Sequence, residues 1–256
     1  MKILFLGTGS SSGTPVPGCG CRVCRSPLKR NRRLRPALLI EQGGKRLLID
    51  TPPELRLQLV EHDIDRVDAL LYTHCHADHV YGLDDVRFFS RKRKLPVYGD
   101  ARTLAEIRCI FPYVFKKTAR AGGKPRLRMR VVDRPFRWQG LRITPVPVFH
   151  GKRKVLGYRI NAIAYIPDCS RIPASSFRLL SRLSILILDA LRETPHPTHF
   201  SLAESLTVAS KIGARRTLLT HISHSMDYIS VEKRLPRSVR LAYDGFSAAV
   251  KKERLP

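Results

Sequence analysis

Apolar residues in this chain fall into short runs bounded by glycine, proline and charge. Lys2-Ile3-Leu4-Phe5-Leu6-Gly7, Arg46-Leu47-Leu48-Ile49, Ala69-Leu70-Leu71-Tyr72 and Ser184-Ile185-Leu186-Ile187-Leu188-Asp189 have strand length. The pattern predicts strands at 2–7, 36–41, 45–49, 68–72, 95–98, 127–132, 141–148, 155–160, 162–166, 184–189, 216–220 and 239–243. It predicts helices at 53–62, 82–90, 101–109, 174–181, 201–212 and 230–234. Ser201 followed three residues later by Glu204 makes a capping box at one helix start. Early strands pair through short loops such as Gln42-Gly43-Gly44, and later strands alternate with helices. This mixture predicts an α/β fold of two packed sheets with helices outside. No internal repeat or low-complexity linker divides the chain, so 1–256 reads as one domain.

Polar residues able to hold a metal stand at the ends of these strands. After Ala69-Leu70-Leu71-Tyr72 comes His74-Cys75-His76-Ala77-Asp78-His79, three imidazoles and one carboxylate in six residues. Imidazole and carboxylate suit zinc, manganese and iron. Asp78 and His79 are adjacent, so they do not easily point with His74 and His76. Two metals side by side would use all four, whereas a polar loop of surface histidines leaves their convergence unexplained. His150, Asp168 and His221 also end or follow strands. Loops at one edge of a stiff scaffold can gather such residues.

Composition adds charge and thiols to this picture. The 256 residues hold 47 Lys and Arg against 21 Asp and Glu, a net charge of +26, with 43% hydrophobic residues. The basic residues cluster at 25–35, 91–94 and 116–137. Such charge attracts phosphate-bearing molecules, but no aromatic residues interleave with it as stacking platforms require. A solvated, arginine-rich surface is the weightier reading. No run has transmembrane length, so no membrane partner is expected. The apolar start is short and ends in Gly7-Thr8-Gly9, which reads as a buried first strand rather than a signal peptide. A cytoplasmic location is expected.

Of six cysteines, Cys19, Cys21 and Cys24 share one glycine-rich segment. In a cytosolic enzyme that spacing points to thiolate ligands more than to disulfides. Cys75 and Cys169 read as bystanders beside ligands, and Cys109 as an ordinary buried thiol. His196, between Pro195 and Pro197, reads as a loop residue without a chemical role.

His74-x-His76-x-Asp78-His79, followed by His150, Asp168 and His221, resembles the metallo-β-lactamase superfamily. The likeness runs from Gly7-Thr8-Gly9-Ser10 to Asp244-Gly245. It implies a four-layer αβ/βα sandwich with a dinuclear site on one edge. His74, His76 and His150 would bind one metal, Asp78, His79 and His221 the other, with Asp168 bridging. The segment Gly18-Cys19-Gly20-Cys21-Arg22-Val23-Cys24 resembles the PhnP-type branch, phosphodiesterases that open cyclic phosphates. In that branch the three cysteines and a late histidine, here His224, hold a structural zinc, a Cys₃His set. The resemblance also places Asp50 behind the histidine loop as a support for its ligands. Asp244 stays open between supporting His221 or His79 and serving as a turn residue.

Two divalent metals, zinc or manganese, ~3.5–4 Å apart can share a hydroxide and clamp phosphoryl oxygens. Asp78 and His199 are the candidate catalytic residues, with His199 giving a proton to the leaving oxygen. The expected function is hydrolysis of small cyclic phosphate esters. A transfer-RNA 3′-processing endonuclease is the main alternative, and it leaves nucleic acid open as a less favoured partner. Those enzymes carry a long arm between the ligands matching His150 and Asp168, where this chain has 17 residues. A non-catalytic metal- or RNA-binding module is the third reading. The resemblance admits a homodimer.

Overall fold

The computed structural model describes residues 1–116 and 123–250; Lys117 and Arg120 of the basic run 116–137 lie outside the described residues. Strands β1 (Lys2–Gly7), β2 (Ala37–Gln42), β3 (Lys45–Ile49), β4 (Ala69–Leu71), β5 (Leu95–Gly99) and β6 (Leu127–Val131) lie side by side in that order. The first three are antiparallel, and β3 to β6 are parallel. A second sheet holds β7 (Phe136–Trp138), β8 (Leu141–His150), β9 (Arg153–Ile160), β10 (Ile163–Ile166), β11 (Ile185–Asp189), β12 (Arg216–Thr220) and β13 (Val239–Leu241). Here β7 to β10 are antiparallel and β10 to β13 parallel. The last strand, β14 (Ser247–Ala249), returns to pair with β1. Among the described residues each sheet therefore has seven strands.

Both faces of the strands are buried, which explains the continuous apolar runs. Ile3 and Phe5 of β1 face the second sheet, while Leu4 and Leu6 face helices. Ile185 and Ile187 of β11 point inward, and Leu186 and Leu188 point outward. Helices α1 (Leu55–Glu61), α2 (Ala77–Val80), α3 (Ala101–Ile110) and α4 (Pro112–Phe115) pack on the first sheet through Leu55, Val80, Leu104 and Val114. Helices α5 (Ala174–Phe177), α6 (Leu202–Ile212) and α7 (Tyr228–Glu232) pack on the second through Phe177, Leu202 and Tyr228. This is the expected αβ/βα sandwich.

Local chemistry sets the boundaries. Ser201 caps α6 with Glu204 in the predicted capping box, and Gly213 closes it at φ 66°. The hairpin between β2 and β3 turns through Gly43 and Gly44, both at positive φ as such a tight turn requires. The segment expected as a helix at 82–90 is a 3-10 helix, Leu83–Phe89, because Gly82 offers no side-chain cap. The expected helix 174–181 divides into α5 and a 3-10 turn, Arg178–Leu180, starting from the uncapped Pro173. Strands β7 and β14 have three residues each, too few to show a period in sequence.

Candidate metal centre

Strands β3, β4, β8, β10, β11 and β12 deliver their carboxyl ends to one edge, the usual place for a site in such sheets. Asp50 follows β3, Thr73 and His74 follow β4, and His150 ends β8. Asp168 follows β10, Asp189 ends β11, and His221 follows β12. The loop after β4 turns into α2, which carries Asp78 and His79. Asp50, Asp168 and His221 adopt positive φ values of 64°, 49° and 60°. Such backbone costs roughly 1–2 kcal/mol per residue and clusters at functional sites.

The structure brings all seven expected ligands together. Donor atoms of His74, His76 and His150 lie within 4.8 Å of one another, as do those of Asp78, His79, Asp168 and His221. His79 Nε2 is 3.0 Å from Asp168 Oδ2 and 3.3 Å from Asp78 Oδ2. His221 Nε2 is 3.2 Å from Asp168 Oδ1 and 3.6 Å from Asp78 Oδ2, and His74 Nε2 is 3.9 Å from Asp168 Oδ1. Asp168 thus reaches both groups.

His74 Nε2, Asp78 Oδ2, His79 Nε2, Asp168 Oδ2 and His221 Nε2 are buried without hydrogen-bond partners. Orphaned buried polar atoms are costly. Donors ~2.0–2.2 Å from a tetrahedral cation stand roughly 3.3–3.6 Å apart, as several do here. The residues fit divalent metal.

Electrostatics point the same way. Burial pushes the Asp168 carboxyl up, but the imidazoles of His221 and His79 outweigh it and hold it well below the ordinary range. Burial pushes His221 down, yet Asp168 and Asp78 raise it to about 9. Clustered carboxylates therefore demand positive charge at this point.

A layer of partners orients the ligands. The Asp50 carboxylate accepts from the Thr73 amide at 2.9 Å and the Thr73 hydroxyl at 2.8 Å, and lies 2.8 Å from His79 Nδ1. His150 Nδ1 donates to the Thr198 carbonyl at 2.8 Å. With Nδ1 held, Nε2 is left for a metal.

His199 sits within this arrangement. Its ring stacks on His221 at 4.8 Å, and its Nδ1 is 3.0 Å from Asp189 Oδ2. Asp189 is fully buried and also accepts from the Cys169 amide. Sequence reasoning named it only as the end of a strand. The available signal was a carboxylate closing an all-apolar strand, a position that Asp50 shares.

A second cluster stands beside the first. Cys19, Cys21 and Cys24 Sγ lie 3.4, 3.5 and 3.6 Å from His224 Nδ1. A tetrahedral zinc with bonds of ~2.3 Å to sulfur and ~2.05 Å to nitrogen sets sulfur and nitrogen roughly 3.6 Å apart. Amides of Cys24 and Val16 donate to Cys21 and Cys24 sulfur. The Cys24 amide and His224 lower the Cys21 thiol to about 6, favouring the thiolate that a metal needs.

Of the two places left open for Asp244, the turn is the one it takes, between β13 and β14. Its carboxylate accepts from Thr8 Oγ1 at 2.7 Å and the Leu34 amide at 2.6 Å, so it braces the N-terminal loop. Cys109 is exposed on α3 rather than buried, because it follows the inward Ile107 by two residues and turns to solvent. His196 packs 5.2 Å from the His199 ring.

Residues 45–222 match a family model described as a beta-lactamase superfamily domain. The chain belongs to the metallo-β-lactamase superfamily, in its PhnP-like branch. A solved structure described as a new diphosphatase from the PhnP family is 40% identical, with a TM-score of 0.91 over 96% of each chain. An octanoyltransferase of Porphyromonas gingivalis is 36% identical over 98% of this chain and 52% of its own length. A ribonuclease Z of Methanococcus maripaludis is 23% identical over 73% of this chain and 55% of its own length. This superfamily chain thus spans about half the length of those two relatives.

Proposed function

We propose that the protein, 1–256 as one hydrolase domain, is a phosphodiesterase that uses two divalent metals, zinc or manganese, to open small cyclic phosphate esters. The observation that carries this reading is the convergence of buried, unpartnered donor atoms from His74, Asp78, His79, Asp168 and His221. The likeness to a PhnP-family diphosphatase supports phosphoryl hydrolysis. When bound, the cations supply a water of lowered pKa and Lewis acidity at the phosphoryl oxygens. His74, His76 and His150 hold one, Asp78, His79 and His221 the other, and Asp168 spans both. Asp189 holds the His199 ring through Nδ1, so that a ring carrying a second proton presents its Nε2–H to the leaving oxygen. Cys19, Cys21, Cys24 and His224 hold a structural zinc that ties the N-terminal loop to the turn carrying His221. Their reduced thiols suit a cytoplasmic setting.

The nuclease alternative loses support at the 17 residues between His150 and Asp168, which β9, β10 and the short turns beside them nearly fill. The test is hydrolysis of bis-p-nitrophenyl phosphate, 2′,3′-cyclic nucleotides, a ribosyl 1,2-cyclic phosphate and a pre-tRNA, with metal content measured on the same sample. Turnover of the small esters is expected, with about three ions per chain. Asp168→Ala should abolish it while leaving the melting temperature near that of the parent. Efficient, salt-sensitive pre-tRNA cleavage without turnover of any cyclic phosphate would replace this reading with the nuclease.

A further inference from the structure

Four imidazoles meet around the proposed proton donor. The His199 ring lies 4.8 Å from that of His221 and 4.6 Å from that of His150, both proposed ligands. The fourth is His196, with its ring 5.2 Å from His199 and tilted by 52°. His221 is 1% exposed and His199 8%, while His196 is only half-buried. The rings therefore run outward from the metal centre, and His196 stands at the solvent end.

The segment that carries His196 is held at several points. Pro195 and Pro197 flank it, and the residue before a proline is restricted to extended backbone. Arg192 donates to the carbonyls of Thr194 at 3.2 Å and Pro195 at 2.7 Å. The Thr198 carbonyl accepts from His150 Nδ1 at 2.8 Å. A Cβ on Gly151 would come within 2.9 Å of Thr198 Cγ2, so the tip of the β8–β9 hairpin backs against this loop. Connecting loops are ordinarily mobile, whereas this one is fixed as a recognition group needs to be.

Thr198 also sets the tautomer of His196. Its amide donates to His196 Nδ1 at 3.3 Å, and its hydroxyl lies 3.1 Å from the same atom. An amide can only donate, so Nδ1 accepts and the proton of the neutral ring is on Nε2. Burial, then His199 and Arg192, push the pKa of the ring below its ordinary value, which keeps it neutral. Among the described residues Nε2 has no acceptor, and it is open to solvent. When His199 protonates the departing oxygen, the rest of that alcohol extends away from the metals, past His199, on the side where His196 stands.

We propose that His196 is a specificity residue whose Nε2–H donates to a second oxygen on the leaving alcohol, so that cyclic phosphates carrying a free hydroxyl are preferred to those carrying none. The inference rests on the phosphodiesterase reading and assigns one residue to the choice among its substrates. A site built to bond a hydroxyl disfavours the analogue that lacks it, because the donor is left unpaired. Solvent reaches this donor, so the factor is modest.

The test compares glycerol 1,2-cyclic phosphate with propane-1,2-diol cyclic phosphate, which lacks the free hydroxyl, in metal-replete wild type, His196→Ala and His196→Gln. Wild type should favour the glycerol ester by about 3–10-fold in kcat/KM. His196→Ala should abolish that preference, mainly through KM. His196→Gln, whose amide N–H can stand in for Nε2–H, should restore part of it. Calorimetry should show the same pattern for glycerol 1-phosphate against propane-1,2-diol 1-phosphate, with metal content unchanged. If His196→Ala loses metal or fold, His196→Phe carries the same comparison, since it keeps the ring contact with His199 and removes the donor. Equal losses on both esters would overturn the inference and leave His196 as a support for His199. Wild type that opens both esters equally well also overturns it, while the phosphodiesterase reading stands. Turnover of neither ester, nor of bis-p-nitrophenyl phosphate, overturns that reading as well.

Discussion

A single carboxylate, Asp189, lies against two histidines. Its Oδ2 is 3.0 Å from His199 Nδ1, and its Oδ1 is 3.8 Å from His221 Nδ1. The two imidazoles stack with their planes 14° apart. One side chain can therefore fix a proposed proton donor and a metal ligand together. His199→Ala should cost roughly 10²–10⁴ in rate on a cyclic phosphate with an alkoxide leaving group. The cost should be much smaller for p-nitrophenolate, which leaves without a proton. Asp189→Asn should show the same dependence on leaving group with a smaller loss, because the amide can still hold the ring while no longer selecting its tautomer. Kinetics on both substrates check this. Equal losses on both would assign the pair to metal binding instead.

At the scale of elements, the site depends on strands buried on both faces that end in polar residues. That is why so much of it was legible. The runs before His74 and Asp168 are wholly apolar, so a polar residue at each end is conspicuous in the sequence. Asp189 ends the same kind of run but matches no position of the ligand motif, and the packing of α6 brings His199 to it. Asp244 stayed open for the converse reason. It lies close to a late strand, yet the fold turns its carboxylate to Thr8 and Leu34. Hairpin and capping-box chemistry was readable because it is local, whereas the three-residue edge strands depend on distant partners. The cysteine loop joins these elements. Ile222 donates its amide to the Thr8 carbonyl and Ser10 donates to the Ile222 carbonyl, one residue past His221. Cys21→Ser should lose one bound ion per chain and lower the melting temperature, since metal binding is coupled to folding. The catalytic ions should persist at first. Elemental analysis and calorimetry on one sample check this, and an unchanged ion count would remove the Cys₃His site.

Across the whole molecule, the charge of +26 divides into structural and free cations. Arg33 is fully buried, donating to Thr8 and to the Ala242 carbonyl. Arg35 pairs with Glu54 and Arg30 lies over Tyr228 and Tyr243. Much of the run 25–35 therefore holds the N-terminal loop in place and does not face a polyanion. The run 91–94 is also mixed. Arg93 pairs with Asp68, a carboxylate only 3% exposed, so reversing it would set two acids against each other in a buried place. Arg91, Lys92 and Lys94 are exposed and can be reversed to Glu together without that conflict. A small ester meets the metal centre alone, so kcat/KM for a cyclic phosphate should change less than about threefold in the triple variant, a long-range effect that salt screens. An RNA crossing this surface would instead find acids where its phosphates had met cations. Its affinity would fall by orders of magnitude, and its salt slope would shrink by roughly one unit for each phosphate no longer neutralised. Measuring both substrates at low and at physiological salt separates the outcomes. A steep, salt-dependent loss on RNA alone would make this face a nucleic-acid track and the +26 charge a working part of the enzyme.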